Sequence, residues 1–337
     1  IAKINNTYEI NILAEKDTVF TSSLEDLHKT WHKTSYEIQK IRDNAESAEN
    51  EFNIIGNKEI KGLYIDKKFS DPQMNQVFSI SKTKPKIAIL REQGVNGHYE
   101  MANAFSENGF NAIDVTMNSL IAKENNLNDF QGTVFCGGFS YGDVLGAGRG
   151  WANKILHNEI LLETFSNYFS DLDKFSLGIC NGCQTLSNLK SIIPGSKDWP
   201  SFLQNTSERF ESRIVMVNIE KSNSIFLTDM TDSKLPVVVS HGEGRAQLND
   251  IEYTNLINNN QICMKYVNDY GKFSDEYPYN PNGSYNGIAG VSSTTGNVTL
   301  LMPHPERLIN IMQFPTNDNE KLSPWSKFFY NARMHLK

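Results

Sequence analysis

The sequence predicts an α/β fold, a doubly wound and mostly parallel sheet preceded by an N-terminal helical arm and linker. Three observations support this. From Lys86 onward, short apolar runs alternate with segments of helical spacing. One run, Phe175-Ser176-Leu177, passes through Gly178-Ile179-Cys180-Asn181-Gly182 into a helical segment, the layout of a strand–turn–helix elbow with cysteine at its tip. Another, Val298–Met302, ends on Pro303-His304-Pro305-Glu306, and sites on parallel sheets gather at the carboxyl ends of strands.

The 337 residues suffice for two domains, or for one large domain with an appended arm. A hydrophobic fraction of 39% and a net charge of -7, without a basic block, argue against nucleic acid or a membrane surface as partner. No apolar run approaches the roughly 20 residues that span a bilayer, and the N-terminus has no signal-peptide pattern. Because the chain starts at Ile1 and not Met, a fragment or processed product is expected. Cys136, Cys180, Cys183 and Cys263 are too few for a disulfide scaffold and fit a reducing compartment, so a cytoplasmic location is expected.

Taken in order, Tyr8–Leu13 and Thr18–Thr21 read as short strands, and Ser22 with Glu25 reads as a capping box. Leu24, Leu27, Trp31, Thr34, Ile38 and Ile41 form an apolar stripe with no partner in the first 45 residues. Asn44 to about Lys84 is polar and weakly periodic, and reads as a linker wrapping a surface. Lys86–Leu90 is a buried strand, Gly97–Asn108 a helix, Asn111–Val115 and Thr133–Phe135 the next strands, and Trp151–Phe169 a helix. Arg213–Ile219, Pro236–Ser240, Ile262–Tyr266 and Ile288–Val291 are further strands, and Ser323–Leu336 closes the chain as a helix.

The elbow predicts a nucleophilic thiol. Small flanking residues permit its strained turn, and the helix that follows aims N–H groups at Cys180, which favours the thiolate and can hold an oxyanion. His304 is the best base, with Glu306 two residues on to fix its tautomer; alone, the tripeptide reads equally as a surface pair. His241, in Ser240-His241-Gly242-Glu243, competes for that role but lacks an acid at the same spacing. Gly137-Gly138 after a strand offers a second oxyanion donor or a plain turn, complementing the Asn181 N–H. Cys180-x-x-Cys183 has no second pair to complete a zinc site, and Cys183 is expected as a small apolar helix residue, with a redox pair as the weaker alternative.

Gly178-x-Cys180-x-Gly182-x-Gln184 together with Pro303-His304-Pro305-Glu306 resembles the class I (triad) glutamine amidotransferases, a flavodoxin-like fold. REQGVNGH at 91–98, CGGFSYGDVLGAG at 136–148, LGICNGCQTLSNL at 177–189, SERFESR at 207–213, SHGEGR at 240–245 and PNGSYNGI at 281–288 look like the C-terminal part of the phosphoribosylformylglycinamidine synthase family in its large, single-chain form. Arg149 departs from that pattern, where an acid is expected.

The resemblance implies that Cys180 attacks the L-glutamine carboxamide to form a thioester and release ammonia, with His304 as acid and base and Glu306 orienting it. It implies Gly138 and Asn181 as the oxyanion hole, and Gln184, Ser240, His241, Gly242 and Glu243 at the substrate. It implies residues 1–45 as the end of a preceding synthetase domain, 46–84 as linker and 85–337 as the amidotransferase domain. No metal or cofactor is expected in this chain; ATP and magnesium are expected in synthetase domains outside it, which receive the ammonia for purine synthesis. A γ-glutamyl hydrolase and a catalytically idle docking module remain the alternatives.

Overall fold

The computed structural model describes residues 2–72, 84–315 and 322–336. The arm opens with an antiparallel hairpin, β1 (Glu9–Ala14) and β2 (Asp17–Ser23), followed by helix α1 (Leu24–Arg42). The cap of α1 is Ser23 and not Ser22: strand pairing runs on through Ser23, whose Oγ accepts from the Asp26 N–H at 3.0 Å. Its apolar stripe stays open, with Trp31 83% and Ile41 88% exposed. The linker reading of 46–84 missed α2 (Ala45–Asn53), a helix too short and polar for a periodic signal, which Asn44 starts by accepting from the Ser47 N–H. Tyr36 of α1 stacks on Phe52 of α2 at 4.4 Å. Beyond α2 the chain lies along the main domain, where Asp66 bridges Lys234 and the Lys68 N–H bonds Ser233 Oγ. The stretch 73–83 of the expected linker falls outside the described residues.

The main domain runs β3 (Lys86–Arg91), α3 (His98–Glu107), β4 (Asn111–Thr116), α4 (Met117–Ile121), β5 (Gly132–Phe135), α5 (Arg149–Leu156), α6 (Glu159–Ser170), β6 (Phe175–Ile179) and α7 (Asn181–Asn188). It continues with β7 (Ser201–Leu203), β8 (Glu211–Ile219), β9 (Lys234–His241), β10 (Arg245–Gln247), α8 (Asp250–Asn258), β11 (Ile262–Val267), β12 (Ile288–Ser292), β13 (Val298–Leu301) and α9 (Ser326–His335). The single helix expected over 151–169 is two, because the Asn158 side chain accepts from the Leu161 N–H and starts α6 afresh.

Nine strands form one sheet in the order β4-β3-β5-β6-β13-β12-β11-β8-β9. The first five are parallel, and β12, β11, β8 and β9 extend the sheet antiparallel. Continuous apolar runs such as Ile87-Ala88-Ile89-Leu90 are buried on both sides, as a parallel strand covered twice requires. Register puts Phe135 and Phe175 on opposite faces, since Phe135 is level with Gly178 and Phe175 with Gly132. Phe135 packs against Trp151, Phe165 and Phe169 of α5 and α6, while Phe175 meets Phe110 and Phe226, which lead to Phe328 of α9. The sheet curls as it extends. Val238 of β9, at the far end of the strand order, bridges His304 just past central β13.

Candidate active site

Cys180 occupies the turn between β6 and α7 with φ 52° and ψ −108°, a conformation costing a non-glycine residue about 1–3 kcal/mol. Packing imposes it. The Cys180 N–H donates to Leu301 O at 2.9 Å, and α7 sits so close to β5 that a Cβ on Gly182 would lie 1.8 Å from Phe135 O. The thiol is 5% exposed, and its Sγ donates to Ser240 O at 3.4 Å.

His304 arrives from the end of β13. Its backbone N–H donates to Val238 O at 2.8 Å, and its Nδ1 donates to Glu306 Oε1 at 2.6 Å. That bond fixes the tautomer and leaves Nε2 toward the Cys180 thiol. Both rest over Gly137, where a Cβ would fall 2.8 Å from His304 Cε1 and 3.6 Å from Cys180 Cβ. Burial pulls the His304 pKa down, but the Glu306 carboxylate and Cys180 outweigh it and lift the imidazole to about 9. The group is poised to hold a proton.

Two N–H groups flank this pair. Asn181 is the first residue of α7, where backbone N–H groups have no partner within the helix. Gly138 has φ +152°, and a Cβ there would lie 2.6 Å from Val95 Cα. The loop bonds around it use Gly137 O and Phe139 N, leaving the Gly138 N–H outside the Val95–Gly138 bridge. The Asn181 side chain braces the same loop, accepting from the Ser140 N–H and donating to Asp143.

Gln184 Nε2 donates to Glu243 O, and the Glu243 carboxylate accepts from the Ala147 N–H at 3.0 Å. Burial, with Glu243 nearby, raises Asp143 to about 6. His241 is buried with its Nε2 3.1 Å from Asn282 Nδ2, and burial and the neighbouring His304 lower its pKa to about 3. Gly242 O accepts from the Asn205 N–H at 2.9 Å.

The structure thus brings Cys180, His304 and Glu306 together, sets Gly138 and Asn181 beside them, and runs the Ser240–Glu243 segment along the thiol and Gln184. Cys183 lies fully buried in α7, and burial pushes its thiol pKa well up. Sequence reasoning missed Glu100, whose carboxylate lies within 4.8 Å of the His304 and Glu306 side-chain atoms and accepts from Arg307 at 2.8 Å. It also missed Asn205 and Asn282, which bind the 241–244 segment from two directions. An acid on a helix and asparagines in an asparagine-rich chain give no signal in one sequence.

Residues 84–336 match the CobB/CobQ-like glutamine amidotransferase domain. The chain belongs to this family of glutamine amidotransferases. It is 45% identical, over 96% of its length, to the phosphoribosylformylglycinamidine synthase of Saccharomyces cerevisiae. It spans about a quarter of that relative, 25% of whose length is covered. Among solved structures, that of PurLQS from Thermotoga maritima superimposes with a TM-score of 0.57 at 25% identity, covering 75% of this chain and 98% of that one. The amidotransferase fold, a mixed α/β domain around a large central sheet, agrees with the expected class.

Proposed function

We propose that this chain is the glutaminase part of a phosphoribosylformylglycinamidine synthase, hydrolysing L-glutamine and passing the ammonia to synthetase domains outside it. One observation supports it above the others: a buried cysteine in a strained elbow shares its turn with a histidine held at 2.6 Å by a carboxylate. In this reading the Cys180 proton moves to His304 Nε2 and Sγ adds to the carboxamide carbon, while the Asn181 and Gly138 N–H groups receive the oxyanion. His304 returns the proton to the leaving nitrogen, the C–N bond breaks and ammonia departs, leaving a γ-glutamyl thioester. His304 then takes a proton from water, which attacks the thioester; glutamate leaves and Sγ regains its proton. Glu306 keeps Nδ1 as donor throughout. Gln184, Ser240, His241, Gly242 and Glu243 line the glutamine side.

On the same proposal, residues 1–45 end a preceding synthetase domain, 46–84 link it and 85–337 are the amidotransferase domain. The open stripe of α1, with Trp31 83% exposed, supports this as a face for that domain. ATP and magnesium belong to the synthetase side, where the ammonia converts formylglycinamide ribonucleotide to its amidine. Four free, buried cysteines support a cytoplasmic setting. No helix among the described residues is long and apolar enough to cross a membrane.

The test compares glutamine hydrolysis by the wild type and Cys180→Ala, with mass-spectrometric mapping of a glutamine-analogue electrophile. Activity in the variant should fall to background and the adduct should sit on Cys180. Equal turnover, or an adduct elsewhere, would remove Cys180 as nucleophile. Cleavage of γ-glutamyl peptides with glutamine inert would make the chain a γ-glutamyl hydrolase.

A further inference from the structure

The Pro281–Ile288 segment has no part in the chemistry above, yet Asn282 within it is fully buried. The orientation of its amide is fixed by its neighbours. The Ser284 backbone N–H, which can only donate, bonds Asn282 Oδ1 at 3.1 Å, and Ser284 Oγ donates to the same oxygen at 2.7 Å. The Nδ2 end therefore faces Gly244 O at 2.8 Å, Tyr266 OH at 3.3 Å and His241 Nε2 at 3.1 Å. An amide NH₂ cannot accept, so the contact favours a lone pair on His241 Nε2 and the ring proton on Nδ1, which is buried without a hydrogen-bond partner among the described residues. An imidazolium would press an Nε2–H against the amide hydrogens.

We propose that Asn282 is a positioning residue for the amidotransferase reaction: it locks His241 as the uncharged Nδ1–H tautomer and pins the 240–244 segment beside the Cys180 thiol. This rests on the reading of 240–243 as the wall of the glutamine pocket. Asn205 completes the clamp from the other side, its Nδ2 donating to His241 O and its Oδ1 accepting from the Gly244 N–H, both at 2.8 Å. Ser240, the next residue back, carries the carbonyl that touches Cys180 Sγ.

The lock has an electrostatic consequence. The groups around His241 are His304, the neutral Tyr266 behind Asn282, Glu211 opposite it on β8, and Glu243 and Arg245 along its own segment. A charge on His241 would oppose the charge on His304, which the thiol needs. With His241 held neutral, His304 is the one imidazole of the two that carries a proton to the substrate.

The deciding experiment is NMR of the 337-residue chain with ¹⁵N-labelled imidazoles, His241 being assigned by the signals that His241→Asn removes. The expected spectrum shows His241 with a donor-type Nδ1 and an acceptor-type Nε2, unchanged between about pH 5 and pH 9 while His304 titrates. A proton on Nε2, or titration of His241 in that range, would overturn the proposal. Asn282→Asp supplies the functional readout. Its carboxylate favours the imidazolium, so the pH profile of Cys180 alkylation by iodoacetamide should gain an ionisation, and the glutamine KM should rise about 10-fold or more with a smaller loss in kcat. An unchanged profile and KM would count against it, and if that variant does not fold, the wild-type spectrum still decides. Neither the spectrum nor the alkylation needs glutamine. A locked His241 in a chain that ignores glutamine removes the glutaminase reading alone, and a titrating His241 in an active chain removes this proposal alone.

Discussion

The two histidine regions of the site are equally buried, His304 at 1% and His241 at 2% exposure, yet they are driven in opposite directions. At the end of β13, a carboxylate accepts from Nδ1 and raises the ring to about 9. At the end of β9, an amide donates to Nε2 and burial lowers the ring to about 3. Desolvation acts on both against the charged form. The charged neighbours decide the outcome: the Glu306 carboxylate and Cys180 outweigh the burial cost at His304, whereas at His241 the nearby His304 adds to it. The fold favours the charged form of one imidazole and the neutral form of the other without changing residue type.

The comparison breaks most sharply under substitution. His304→Ala should lower kcat for glutamine by about 10²–10⁴-fold, the span general acid–base catalysis supplies, whereas His241→Asn should raise KM more than it lowers kcat. Steady-state kinetics separates the two, and equal kcat losses would put His241 in the chemistry. Next in size, Glu306→Gln takes away the charge that lifts His304. Burial then prevails, its pKa should fall below the ordinary 6.5, and kcat should drop about 10²-fold or more with a displaced pH profile. A profile that keeps its limb near pH 9 would show that Cys180 alone sustains the shift.

The smallest expected effect is on stability. His304 is raised from 6.5 to about 9, so its contribution is full below pH 6.5 and lost as pH climbs through 9. His241 is lowered from 6.5 to about 3, so its contribution is full above pH 6.5 and lost as pH falls toward 3. Urea midpoints should peak between these windows, each slope approaching at most about 1.4 kcal/mol per pH unit. Glu306→Gln should flatten the alkaline side and His241→Asn the acid side.

Much of this was legible in the chain. The runs Ile87–Leu90 and Phe175–Leu177 announce buried parallel strands, and glycines two residues either side of Cys180 announce the elbow. His304 and Glu306 were readable because a strand end and an extended tripeptide fix both ends of a short motif. What stayed hidden depends on chain segments far apart in sequence. Asn205 and Asn282 meet His241 only after β8, β9 and the 277–284 loop have packed, and Glu100 reaches Glu306 across 206 positions. Helix α2 escaped because nine residues with one strong cap carry too little periodicity. The stripe of α1 is apolar as its spacing predicts, and among the described residues Trp31 and Ile41 on it stay exposed.

The curl of the sheet has a last consequence. Strand β9 comes last in the strand order, with β8 along one side. Its other side is met by Asp66 at Lys234 and by His304 at Val238. An outermost strand closed in this way offers a poor template for pairing with another chain, so the curl guards against aggregation as well as building a site. It also ties the Val238 carbonyl to the His304 N–H just past β13 and the Lys234 N–H to Asp66 O, and the β9 amides that pair with β8 should exchange in the slow class set by global unfolding, not with the fast fraying of an ordinary edge.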